Sequence, residues 1–562
     1  MLTTHTADSA INRKGQFDKR IALPLAGIAV YGLLTSTMIA ASWRHFELAG
    51  ILVRYALLLP AVLYALRQPG LAGGSIGGGR RSAQFVIAAF LLVAASVSCY
   101  VGGGVMIPDE SSYRFQARTL AAGRLIAPAP PGAPERPVDV PVALNFTHQV
   151  ISKAGWYSKY PIGWPAVLAI PERMHAGWLV NPVLGALLLV LIGCVAREAF
   201  GSAVVLPAIA MAALSAYMLA NSVGRMSHGL SSVLVAAATL LCVQGVNTGK
   251  LSRFAWMFAL IIAAFHVRPF TAFVTALVLG VGSLIGTKNR RGLCIRVAAI
   301  GAVAAVLAIG SVMLYNWRFT GDPLLSPYAL FRGTKIPREL MVTTGQLAEN
   351  LKSVWRFALQ STLLYTFPFL APLIVYRFRV TRSNSIAPWL LLALPCALVV
   401  AHLVQFEGSA SILGERYWFE GYFGAVILAA DGLVRLIGKW RSDRRAVRAV
   451  TTAIVAVQVV VMAAAATKLV DISRPRREVR RLAETYTDCN CVVFFKENLP
   501  EFTGKHLNLN GPDWSSAGVF YAIDPGLGGR AKWTALLHKP RWVVLAYDAQ
   551  REVAKVDGSG SL

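Results

Sequence analysis

The chain has 562 residues, 55% of them hydrophobic, and a formal net charge of +27. Its mean hydropathy of +0.54 means more apolar surface than one soluble core can bury, which excludes an ordinary soluble protein and marks an integral membrane protein. The Lys and Arg residues lie in short clusters between apolar runs, as topology signals do, so nucleic acid is excluded as a partner.

Residues 1 to 20 read as a cytoplasmic tail with a basic stretch from Arg13 to Arg20, and residues 21 to 42 are too long and too uniformly apolar for a cleaved signal. Runs of spanning length follow at 50 to 66, 83 to 103, 178 to 196, 202 to 221, 229 to 246, 293 to 315, 359 to 376, 385 to 405, 417 to 437 and 447 to 467. Between 254 and 286 a longer apolar stretch is broken by His266, Arg268 and Pro269, and reads as two short helices meeting at one membrane face. The expected fold is therefore a polytopic α-helical domain over 21 to 467 with about 13 crossings.

With a cytoplasmic N-terminus, the clusters Arg80 and Arg81, Lys250 and Arg253, Lys288 to Arg291, Arg377 to Arg382, and Lys439 to Arg448 all fall inside. The loops 104 to 177 and 316 to 358 and the tail 468 to 562 then fall outside. Residues 69 to 81 are Gly-rich and read as a flexible linker, while 126 to 141 are Pro-rich and cannot form a regular helix. In the tail, CVVFFKE, VFYAID and RWVVLAYD read as strands between turns, giving a small α/β domain. Of the seven cysteines only Cys489 and Cys491 lie there, where a disulfide and two thiols are both open readings. HExxH, paired CxxC and Walker A signatures are absent.

The stretch IPDESSYRFQARTLAAGRL, residues 107 to 125, carries the most information. It sets Asp109 and Glu110 after a membrane-length run and before an amphipathic helix. Carboxylates at that depth are costly beside lipid, and so are usually buried against protein or line a functional cavity. The plainer reading of Asp109 is a helix cap.

These residues, with the later YSKYPIGWPAVLAI at 157 to 170, resemble the bacterial GT-C glycosyltransferases, and within them the protein O-mannosyltransferases and lipid A aminoarabinose transferases. The resemblance covers about residues 83 to 440. It implies an inverting glycosyltransferase of the bacterial inner membrane that moves a sugar from a polyprenyl-phosphate carrier to a lipid, glycan or protein acceptor on the periplasmic face. In that reading Asp109 takes the acceptor proton and Glu110 supports it. Lys159, Arg268 and Arg416 meet the donor phosphate, and Tyr113, Tyr160, His228 and Tyr417 contact substrate. For each cation the plainer role is that of a snorkelling anchor, most readily so for Arg416 beside Glu415 and Glu420. The family often carries an acid where Ser227 and His228 stand here.

Lesser candidates are Asp322, which a tight Gly-Asp-Pro turn explains, and Asn508, Asn510, Asp513 and Trp514 in the tail, which suit either turns or carbohydrate. Trp156, Tyr157 and Trp164 are expected to anchor at the membrane surface. No metal is expected to be obligatory, and a divalent cation is left open. The competing functional class is a transporter or flippase of lipid-linked glycans, and a third reading is an inactive scaffold, which requires the acids and cations to lie apart.

Overall fold

The computed structural model describes residues 76–101, 107–334, 370–381, 385–405, 416–439, 444–497 and 504–562, with single positions 348 and 351. The apolar runs at 21 to 42 and 50 to 66, most of that at 359 to 376, and Glu415 lie outside the described residues. In chain order the helices are α1 (Ile76–Val101), α2 (Pro108–Ala121), α3 (Gly163–Arg173), α4 (Val180–Phe200), α5 (Val205–Ala213), α6 (Ala216–Asn221), α7 (His228–Thr248), α8 (Leu251–Phe265), α9 (Pro269–Thr287), α10 (Arg291–Thr320), α11 (Pro327–Arg332), α12 (Leu370–Val380), α13 (Ala387–Gln405), α14 (Phe419–Lys439), α15 (Arg444–Glu484) and α16 (Leu527–Leu536).

Among the described residues, 7 helical stretches are long and apolar enough to cross a membrane, and three further apolar helices are shorter. Together they form a polytopic helical membrane protein whose main core joins α1, α4, α5, α7, α14 and α15. The broken stretch at 254 to 286 is α8 and α9, with Arg268 at the break and Pro269 opening α9, where its missing N–H costs nothing. Three expectations are corrected. The Gly-rich linker is helical from Ile76 onward. The run at 202 to 221 is interrupted at Leu214 and Ser215, where the Ser215 side chain accepts from the Met218 amide and caps a new short helix. The helix of the last apolar run does not stop with that run near 467 but continues as α15 to Glu484.

Strands β1 (Gln149–Ser152) and β2 (Gly155–Ser158) form an antiparallel hairpin in the first long loop. The C-terminal domain is a four-stranded sheet of β3 (Cys491–Phe495), β4 (Val519–Ile523), β5 (Arg541–Asp548) and β6 (Val553–Ser561), in the order β4-β3-β5-β6. The three predicted strands pair in parallel, and β6, whose Gly-Ser-rich sequence gave no strand signal, closes one edge antiparallel. Because both sheet faces are covered, β3 is apolar throughout. Val492 and Phe494 face the loop, packing with Phe115, Phe146 and Trp156, while Val493 and Phe495 face Val479 and Ala483 of α15. Cys489 and Cys491 are joined as a disulfide.

Trp156, Tyr157 and Trp164 are buried rather than at the membrane surface. Trp156 lies against Phe115 and Phe146, in the core that unites the loop with the sheet domain. The polar groups of LNLNGPDW are likewise engaged within the protein. Asn508 donates from its backbone to Ser111 and from its amide to Gln149, Asn510 pairs with Tyr521, Asp513 with Arg124, and the Trp514 indole donates to Pro128. They dock the sheet domain onto the loop, with Asn508 and Asn510 buried and Asp513 exposed.

Candidate active site

Helix α2 begins with Pro108 at its first turn, carries Asp109 and Glu110 there and Arg118 in its last turn, so its charges complement the helix dipole. It ends in a Schellman arrangement, in which Gly123 at φ 75° donates to Leu120 and Arg124 donates to Thr119. The N-cap is Ile107, which has no side-chain cap, so Asp109 is not the capping residue. Its carboxylate turns instead into a cluster of donors and is only 4% exposed. Glu110 is buried beside it.

The hairpin positions those donors. Gln149 pairs with Ser158, so His148 and Lys159 face each other at its open end, and the Lys159 amide donates to the His148 carbonyl over 3.2 Å. Two contacts fix the hairpin on α2: Ser112 and Ser158 hydroxyls meet at 2.7 Å, and the Ser158 amide donates to Gln116. The result is a ring around Asp109. The Tyr160 hydroxyl donates to Oδ1, His148 Nε2 lies 3.2 Å from the same oxygen, and Arg416 Nη1 lies 3.1 Å from Oδ2. Burial would raise the Asp109 carboxyl, but Arg416, His148, Tyr160 and Lys159 together outweigh it and hold the group well below the usual carboxylate range. Burial pulls His148 down to about 4 despite the Asp109 charge, so at neutral pH it donates as an uncharged ring. Burial also pushes the Tyr160 hydroxyl well up, with Asp109 adding to the effect, which keeps it a proton donor.

Lys159 is buried in an aromatic cage, its Nζ 4.4 Å from the Tyr328 ring, 4.7 Å from Phe331 and 5.1 Å from Tyr160. The loop after α10 thus contributes Tyr328 and Phe331 of α11, whereas Asp322 accepts the Leu324 amide in an exposed turn. Arg268 reaches the cluster because Gly163 lets α3 pack on the α8–α9 break. The Gly163 amide donates to the His266 carbonyl at 2.7 Å, and a Cβ there would lie 2.6 Å from that oxygen. Arg268 Nε is 2.9 Å from Glu420, and its guanidinium lies 5.4 Å from the Tyr417 ring, which Arg416 also faces at 5.1 Å.

His228 is fully buried, with Nδ1 3.1 Å from Glu420 and Nε2 3.2 Å from Arg268, so both its nitrogens face protein partners. Tyr113 meets Ser227 at 3.2 Å and packs on Tyr160 at 4.7 Å, joining α2 to the start of α7. Asp109, Lys159, Arg268, Arg416, Tyr113, Tyr160, His228 and Tyr417 therefore share one neighbourhood, contrary to the scaffold reading. Arg416 is paired with Asp109 rather than snorkelling.

His148 and the pairing role of Glu420 were not legible in the sequence. A histidine after a Pro-rich excursion carries no signal, although its φ of 64° is unusual for a non-glycine residue and such positions collect at functional sites. Deeper in the protein, Glu172 of α3 pairs with Arg114 of α2 at 3.1 Å and with Arg225. All three side chains are buried, and this triad locks α2 to α3.

No family model and no curated protein matches the chain. Among solved structures it is similar to ArnT from Cupriavidus metallidurans bound to undecaprenyl phosphate, at 13% identity over 83% of this chain and 93% of that chain, with a TM-score of 0.50. Apo ArnT gives 12% identity, the same coverage and a TM-score of 0.50. The archaeal oligosaccharyltransferase AglB from Archaeoglobus fulgidus, in complex with an inhibitory peptide and a dolichol-phosphate, gives 14% identity over 69% of this chain and 56% of that chain, with a TM-score of 0.40. The likeness to ArnT covers most of both chains, and with the membrane-length helices it shows that this chain is a polytopic membrane protein with the GT-C fold.

Proposed function

We propose that the chain is an inverting glycosyltransferase that takes a sugar from a polyprenyl-phosphate carrier and passes it to a lipid, glycan or protein acceptor at the periplasmic face of the bacterial inner membrane. The observation that carries this reading is the cluster in which Arg416 contacts Asp109, Lys159 lies near it, and Arg268, paired with Glu420, shares the Tyr417 ring with Arg416. ArnT, whose fold the chain shares, was solved with undecaprenyl phosphate. In a direct displacement, the acceptor hydroxyl oxygen attacks the anomeric carbon as the bond from that carbon to the phosphate oxygen breaks. The electron pair leaves with the lipid phosphate, whose negative charge the cations stabilise, and the hydroxyl proton passes to Asp109.

The pairing of Arg416 with Asp109 suggests an order of events. An Asp109 bound by Arg416 is a weak base. A donor phosphate competes for that guanidinium, and its arrival relieves Asp109 of its counter-charge and raises its basicity, so donor binding precedes proton transfer. Glu110 supports the site from the same helix turn, and Tyr113, Tyr160, His228 and Tyr417 shape its walls.

Purified protein incubated with a panel of polyprenyl-phosphate sugars and acceptors is expected to give a glycosylated product of inverted anomeric configuration, read by NMR. Movement of intact carrier-linked sugar across proteoliposomes without transfer would establish the flippase instead. Because protein cations face the leaving phosphate, activity is expected to survive an excess of EDTA. Loss in EDTA that Mg²⁺ or Mn²⁺ restores would add an ion to the mechanism.

A further inference from the structure

A second feature lies away from Asp109, at the junction of the membrane domain and the α15 extension. Leu92, Ser96 and Tyr100 on α1, with Trp178 before α4, line a cavity of about 790 Å³ whose remaining wall includes Arg477 and Arg481. Leu92 and Tyr100 are 69% and 44% exposed, so among the described residues this is open apolar surface on a helix of membrane-spanning character. Successive contacts from Leu92 to Tyr100 extend along α1 for about 12 Å at 1.5 Å per residue, enough to hold part of an acyl chain. Arg477 and Arg481 are four residues apart and therefore share one face of α15. Arg477 lies over the Tyr100 ring at 4.0 Å and is 3.1 Å from Glu478. Arg474 is taken by Asp471 and Glu552 and Arg480 by Glu484, whereas Arg477 and Arg481 at the groove share Glu478 as the one acid between them in sequence.

We infer that this groove binds an anionic phospholipid of the bilayer, with its phosphate between Arg477 and Arg481 and one acyl chain along α1. The charge at one end and the apolar wall below it match the two ends of such a lipid. A soluble phosphate would leave the wall uncovered, and a neutral lipid would offer no net charge to the two arginines that line the groove. The site is distinct from the proposed donor site, since none of its lining residues belongs to the cluster around Asp109.

The test uses the full chain in phosphatidylcholine vesicles titrated with phosphatidylglycerol brominated on its acyl chains. Trp178 lines the groove, and subtracting the fluorescence of Trp178→Phe isolates its quenching. Brominated phosphatidylglycerol is expected to quench Trp178 at a mole fraction about tenfold lower than brominated phosphatidylcholine, and Arg477→Gln with Arg481→Gln to abolish that preference. Arg481 is exposed, so Arg481→Gln alone keeps the fold and is expected to remove a clear part of the preference. Equal quenching by the two lipids, a preference that survives the double substitution, or displacement by soluble glycerol phosphate would each overturn the assignment.

Discussion

Asp109→Asn is expected to lower glycosyl transfer by about a hundredfold or more, the usual scale for a positioned general base, while the protein still binds its carrier lipid. Asparagine keeps the size of the side chain and its contacts with Tyr160 and His148, but it has no carboxylate to accept a proton and no charge to hold Arg416. Carrier binding should hold or tighten, because Arg416 no longer has a competing partner. The diagnostic pattern is therefore a collapse of kcat with no rise in KM for the donor. Equal turnover in the two proteins would remove Asp109 from the chemistry. A variant that loses carrier binding as well would show that the pair organises the pocket rather than performing the proton transfer.

Glu172→Gln is expected to be the most damaging single change to stability, costing about 3 to 5 kcal/mol, because it strands Arg114 and Arg225 as buried cations without a counter-charge. The measurement is a thermal melt in a mild detergent or in nanodiscs. A variant that melts with the wild type would mean that water or another carboxylate already serves these arginines. The same triad sets an acid limit. Burial opposes ionisation of Glu172, but Arg225 and Arg114 outweigh it and pull the carboxyl down to about 2 from an ordinary 4.5. Since the folded value is depressed, the contribution is complete above about pH 4.5 and is lost as pH falls toward 2. The wild-type melting temperature should fall across that window, and the Glu172→Gln protein should lack this component of the fall.

Much of the fold was legible because membrane helices and parallel strands advertise themselves through long apolar runs. The α8–α9 break announced itself by a charge and a proline inside an apolar stretch, and β3, β4 and β5 by β-branched and aromatic runs. What escaped was decided by contacts distant in sequence. Whether 202 to 221 forms one helix or two turns on a serine cap, which composition does not register. The extension of α15 is charged and reads as part of the tail from 468, yet it prolongs the membrane helix, with Val479 and Ala483 packed on the sheet. At the site, Asp109, Lys159, Arg268 and Arg416 were identifiable as polar residues beside membrane-length runs. Their mutual distances were not, and neither was His148, whose place depends on the hairpin register. The tail residues Asn508 and Asn510 misled because side chains suited to sugar hydroxyls are equally suited to fastening two parts of one protein.

The 41-residue helix α15 carries the last apolar run directly into the sheet domain, on which its Val479 and Ala483 pack. The sheet is in turn tied through Asn508 and Ser111 to the turn that holds Asp109. Inside α15 stands Pro475, which lacks the amide that would bond one turn back. A ligand that bends the helix at that proline would move Asp109 without touching it.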